Sequence, residues 1–151
     1  MIFFLDTSAL IKRYLHEKGS AYIRRLFQTN GAIFYQTFLA LLEMTSAFYR
    51  RHRGGQISIE ELSFLLGSYA AHSHRDYLLI PHSESLMDMA EVLISRHPLR
   101  ALDAIQLASA LGLRNALPAE APPFIFLSAD DRLVTVARQE HLQAVNPEKA
   151  S

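Results

Sequence analysis

Apolar positions in this chain fall into two patterns. Five short stretches are apolar almost without interruption: IFFL (2–5), AIFY (32–35), YLLI (77–80), FIFL (124–127) and LQAV (142–145). Compact apolar runs of this kind, several rich in aromatic or β-branched residues, read as buried strands. Between them the spacing predicts helices over 8–17, 20–29, 37–53, 58–74, 83–96, 100–114 and 130–140. Strands that alternate with helices and lack an in–out alternation belong in a parallel sheet covered on both faces. The expected fold is therefore α/β: a three-layer α/β/α domain around a central, mostly parallel sheet of four to five short strands. Gly54-Gly55 separates the third helix from the fourth, and PAEAPP (118–123) is a loop leading into the fourth strand. No repeat, low-complexity tract or interdomain linker is present. One domain over 1–146 is expected, with a short tail at 147–151 that frays after Asn146-Pro147.

Composition narrows the possible chemistry. The chain has 151 residues, the size of one ordinary domain, and 50% hydrophobic against 20% charged residues, enough for a packed core. Lys+Arg and Asp+Glu are each 15, so the formal net charge is +0 and no long-range field draws the protein onto nucleic acid. Binding to a polyanion would have to come from local basic patches or bound cations. The absence of cysteine removes disulfides, thiol chemistry and Cys-based zinc sites, and suits a reducing compartment. No apolar run is long enough to span a bilayer, and the N-terminus lacks the pattern of a signal peptide. The expected location is the cytoplasm.

Four acids stand in apolar company. Asp6 follows the first strand directly, at the carboxyl end where open α/β sheets bind ligands. The fourth strand also runs into acids, SADDRL, with Asp130 and Asp131. An Asp at such a junction is often a helix N-cap. Ser128, with Asp131 three positions later, fits a capping box, which leaves Asp130 spare. Glu43 is the only acid in TFLALLEMTSAFYR, a helix with no wide polar face and no basic residue one turn away. A helix apolar all round is buried, and a lone Glu there either holds a cation, is neutralised, points into a polar gap or pairs with a distant Arg. Asp103 lies among Leu102, Ala104, Ile105 and Leu107, with Arg100 and Gln106 each three residues away as possible partners. If the four acids converge, their repulsion calls for a cation. An all-oxygen set without Cys or paired His suits Mg²⁺ or Mn²⁺ rather than zinc. Such an ion above carboxylates is suited to phosphoryl chemistry.

The segments FLDTSALIKRYLHEKGS, LALLEMTSAF, LRALDAIQLASAL and FLSADDRLVTVARQE together resemble the four acidic motifs of PIN domains, and most closely those of VapC-type toxins of bacterial and archaeal toxin–antitoxin pairs. The resemblance runs in order from Ile2 to about Asn146. It places the family's acidic quartet on Asp6, Glu43, Asp103 and Asp130, the hydroxyl accompanying the last acid on Ser128, and the small polar positions after the first acid on Thr7 and Ser8. It implies a Mg²⁺- or Mn²⁺-dependent endoribonuclease in which water attacks the phosphodiester in line, leaving 5′-phosphate and 3′-hydroxyl ends. Asp6, Glu43 and Asp103 would hold the principal ion, while Asp130 would bind a second ion or orient the water. It further implies an RNA substrate, a cognate antitoxin protein and a homodimer.

Other features carry less. Arg50, Arg51 and Arg53 read as a solvated cationic helix end, and Lys12, Arg13 and Arg100 as better candidates for the RNA backbone. The seven His residues show no ligand spacing, and His72 and His74 read as surface residues. ELSFLLGSYAAH (61–72) suits ordinary packing, an antitoxin groove or a dimer surface. Two rival readings remain. One is a phosphatase with an aspartyl nucleophile, which wants a second acid where Ser8 stands. The other is a PIN-like module that binds RNA or a partner without cutting.

Overall fold

The computed structural model describes residues 1–150. The sheet is built from β1 (Ile2–Leu5), β2 (Ile33–Thr37), β3 (Leu78–Ile80), β4 (Phe124–Leu127) and β5 (Ala144–Val145), in the order β3-β2-β1-β4-β5. Every pairing is parallel. The helices are α1 (Thr7–Leu10), α2 (Ser20–Leu26), α3 (Ala40–Arg53), α4 (Ile59–Arg75), α5 (Glu84–Arg96), α6 (Ala101–Ala116) and α7 (Asp131–Gln139). A 3-10 turn over Ile11–Arg13 continues α1.

The strand runs lack alternation because both faces of the sheet are covered. Ile2, Phe4, Phe124 and Phe126 face a core shared with α5, α6 and α7. Phe3, Leu5, Phe34 and Ile125 face the opposite core, shared with α1, α3 and α4. This is the three-layer α/β/α arrangement the pattern implies. The first and fourth strands have the predicted limits, and the other three differ by a few residues. No helix among the described residues is long and apolar enough to cross a membrane.

Three local expectations are corrected. The helix predicted over 8–17 ends at Arg13, because the chain turns there and brings Glu17 back onto Lys12. The turn closes at Gly19, whose φ of 86° suits glycine and where a Cβ would sit 2.9 Å from the backbone of Pro147. The third helix is not buried all round: Met44, Ala47 and Phe48 pack inward, while Leu42 is 69% exposed. The tail does not fray, since Glu148 pairs with Lys12 at 2.7 Å and Lys149 with Asp131 at 2.7 Å.

Candidate active site

The order of the sheet decides where the acids meet. β1 and β4 are adjacent and in register through Leu5 and Leu127, so Asp6 and Ser128 leave the sheet side by side. The backbone N–H of Asp6 donates to Leu127 O, extending the ladder by one bond. Asp6 is buried at 6% exposure, and its Oδ2 accepts the hydroxyls of Ser8 and Ser128. Burial pushes its pKa up from 3.8 to about 6; the two hydroxyls pull it down, and the charges of Glu43 and Asp103 add to the rise.

Glu43 projects from the first turn of α3, whose first backbone N–H, that of Ala40, donates to the Thr37 hydroxyl at the end of β2. Its Oε2 accepts from Thr7 Oγ1 at 2.8 Å and Gln106 Nε2 at 2.7 Å. Glu43 thus meets a polar gap between α1, α3 and α6. Asp103 lies in the first turn of α6 and accepts from Arg100 Nε at 3.3 Å. Gln106, the other expected partner of Asp103, reaches across to Glu43 instead. Arg100 Nη2 also lies 3.7 Å from Asp130 Oδ2.

The assignment of the last acids is reversed relative to the capping-box expectation. Asp130 is the N-cap of α7, its Oδ1 accepting from the backbone N–H groups of Arg132 and Leu133. Asp131 instead binds Asn146 and Lys149. Ser128 cannot serve as the cap because its hydroxyl is committed to Asp6 and accepts from Asp130 N. Capping through Oδ1 leaves Asp130 Oδ2 directed to the Arg100 side.

Asp6, Glu43, Asp103 and Asp130, carried by four separate segments, line one cavity of about 500 Å³ together with Thr7, Ser8 and Arg100. Each predicted site residue except Ser128 lines it, and Ser128 lies directly behind Asp6. As the side chains stand, no three acids or histidines among the described residues are grouped closely enough to ligate one ion. The contacts explain this. Carboxylates facing a common space repel, and each here turns an oxygen to a hydroxyl, amide or guanidinium donor. The donor set is all oxygen, the chemistry that hard divalent cations prefer.

The cationic rim differs from the expected one. Lys12 is only 3% exposed and held by Glu17 and Glu148, and Arg13 is held by Asp76 and Tyr77. Neither is free for a phosphate. Arg50 and Arg51 stand at the cationic end of α3 as expected, and both also line the cavity, with Arg51 pairing with Glu17 at 2.7 Å. His72 is not a plain surface residue either: it hydrogen-bonds Tyr14, and burial lowers its pKa.

No family model matches this chain, and no curated protein matches it. Solved structures do. FitAcB from Neisseria gonorrhoeae superposes with a TM-score of 0.70 at 13% identity, covering 99% of this chain and 100% of that one. VapBC2 from Rickettsia felis, bound to a DNA fragment from their promoter, gives 0.64 at 12%, covering 97% and 98%. VapBC-1 from nontypeable Haemophilus influenzae gives 0.60 at 16%, covering 99% and 100%. At such identities the likeness establishes a shared fold over the whole chain. It agrees with the three-layer architecture described above.

Proposed function

We propose that this protein is a divalent-metal-dependent endoribonuclease, the toxin of a toxin–antitoxin pair, with Asp6, Glu43, Asp103 and Asp130 as its catalytic and metal-ligating acids. The observation that carries the reading is that these four acids, more than 120 residues apart at the extremes of the chain, open onto a single cavity. The resemblance to PIN-domain VapC motifs and the shared fold with chains of the VapBC and FitAcB structures support it.

Bound Mg²⁺ or Mn²⁺ would supply charge to neutralise the phosphodiester and acidify a water at neutral pH. The chain's own residues prepare for that. Ser8 and Ser128 hold Oδ2 of Asp6, and no side chain among the described residues donates to its Oδ1. Thr7 and Gln106 hold Oε2 of Glu43 in the same way. Two carboxylates thus each have one oxygen tethered and one available to the cavity. Arg100 keeps Asp103 and Asp130 on the same side. Arg50 and Arg100, at the rim of the cavity, are the cations placed to receive flanking phosphates.

The antitoxin is proposed to occupy a second groove, of about 770 Å³, bounded by Tyr14, Leu15, Ile57, Phe64 and Leu65. Phe64 is 72% exposed there, and Glu17 and Arg51 belong to the walls of both groove and acidic cavity. A helix laid in the groove can therefore extend toward the acids. A second copy of this chain is the other proposed partner. Purified protein should cleave single-stranded RNA with Mg²⁺ or Mn²⁺ and not with chelator, and Asp6→Asn and Asp103→Asn should abolish cleavage. Equal cleavage by all three proteins, or none by the wild type with metal present and antitoxin absent, would reject the nuclease.

A further inference from the structure

We propose that Gln106 is a positioning residue for Glu43, holding one carboxylate oxygen so that the other is presented to a divalent cation. The proposal deepens the metal-site reading above and rests on it. Gln106 stands one turn beyond Asp103 on α6 and is buried at 1% exposure. Its Nε2 donates to Glu43 Oε2 at 2.7 Å and to Thr7 Oγ1 at 3.2 Å, while the Thr7 hydroxyl donates to the same Glu43 oxygen at 2.8 Å. The three side chains close a ring on a single carboxylate oxygen.

The orientation of the amide is informative. Its carbonyl Oε1 is buried and has no hydrogen-bond partner. A buried acceptor without a donor is costly and uncommon. Turning the amide over would aim Oε1 at Glu43 Oε2, setting two acceptors against each other. The side chain therefore tolerates an unpaired oxygen in order to present its N–H groups to Glu43. A residue kept only for packing would be better replaced by an apolar one, as its neighbours Ile105, Leu107 and Ala108 are. Gln36 offers an internal comparison: it is also buried, with Nε2 unpaired, but its oxygen accepts from Tyr69 and it bonds none of the four acids.

Groups that orient metal ligands change metal affinity by about 10- to 100-fold when removed. The test is Mn²⁺ titration of the full chain, following the free-ion electron paramagnetic resonance signal. Three variants are compared: Gln106→Met, Gln106→Asn (an amide too short to reach Glu43) and Gln36→Met as the control. Gln106→Met and Gln106→Asn should bind Mn²⁺ about tenfold more weakly, and Gln36→Met as wild type. RNA cleavage by both Gln106 variants should need more Mn²⁺ for half-saturation but reach a plateau within about threefold of wild type. If one Gln106 variant fails to fold, the other carries the test. Wild-type Mn²⁺ affinity in a folded Gln106 variant, or an equal loss in Gln36→Met, overturns the proposal while leaving the metal site intact. A wild-type protein that binds no Mn²⁺ overturns both.

Discussion

Ser8 and Ser128, 120 positions apart, bring their hydroxyls within 3.3 Å of each other and both donate to the same oxygen of Asp6. Ser8 Oγ also accepts from Ala129 N, and Ser128 Oγ from Asp130 N. The ends of β1 and β4 are thus stitched together around one buried carboxylate. This stitch orients Asp6 and sets the turn that carries Asp130. It is the local consequence of placing β1 beside β4 in the sheet.

A buried acid whose pKa lies above its unfolded value penalises the folded state as pH rises. Asp6 goes from 3.8 to about 6, so the folded protein binds the extra proton between those values. Its contribution is fully present below about pH 4 and lost as pH passes about 6. Asp6→Asn keeps the shape without the charge. In chelator the variant should be more stable than wild type at pH 8, by at most about 3 kcal/mol, with the gap closing by pH 4. Urea denaturation at several pH values measures it. A gap that does not vary with pH would show that the carboxylate is not held as described.

Lys12 ties the end of the α1 segment to the C-terminal residues through Glu17 and Glu148. Lys12→Met should lower stability by about 1–3 kcal/mol, since it strips buried, hydrogen-bonded charge from partly solvated partners. The loss should be local as well as global. Amide exchange at Glu148 and Lys149 should rise in the variant more than exchange in β1. Unchanged exchange at the C-terminus would mean that Asn146 and Lys149, bound to Asp131, suffice to dock it.

Arg50 and the 79% exposed Arg100, whose contacts to Asp103 and Asp130 are loose at 3.3 and 3.7 Å, are the rim cations within reach of phosphate, whereas Lys12 and Arg13 are held in closer, more buried pairs. Arg50→Ala and Arg100→Ala, each in the Asp6→Asn background proposed to abolish cleavage, should weaken single-stranded RNA binding. Each should reduce the slope of log affinity against log salt by about 0.7. Stability should change by about 0.5 kcal/mol or less, because Arg100 is 79% exposed and such ion pairs contribute little. Fluorescence anisotropy across a salt series reads the slope.

The sheet was legible because the strands of a doubly covered sheet are apolar throughout. IFFL and FIFL mark β1 and β4 to the residue, and Asp6 and Ser128 follow them at once. The shared cavity of Glu43, Asp103 and Asp6 was suggested by their apolar company and ordered by motif resemblance, since nothing in either helix alone says what it faces. Three features escaped because their contacts are distant. Asp130 replaces Ser128 as the cap only once Ser128 is seen bonded to Asp6 across the sheet. The C-terminus is held by Lys12 at the other end of the chain. Gln106 looked like a partner for Asp103 one turn away, but its amide donates to Glu43 on another helix.

Four acids from separate segments are proposed to form one centre for a hard cation. Crystals soaked in Mn²⁺ and measured at the manganese absorption edge test it most directly. An anomalous peak is expected in the cavity between the free oxygens of Asp6 and Glu43, close to Asp103, and no peak there in Asp6→Asn crystals. No peak at millimolar Mn²⁺, or a peak bound only elsewhere, such as beside Glu17 and Glu148, would contradict it.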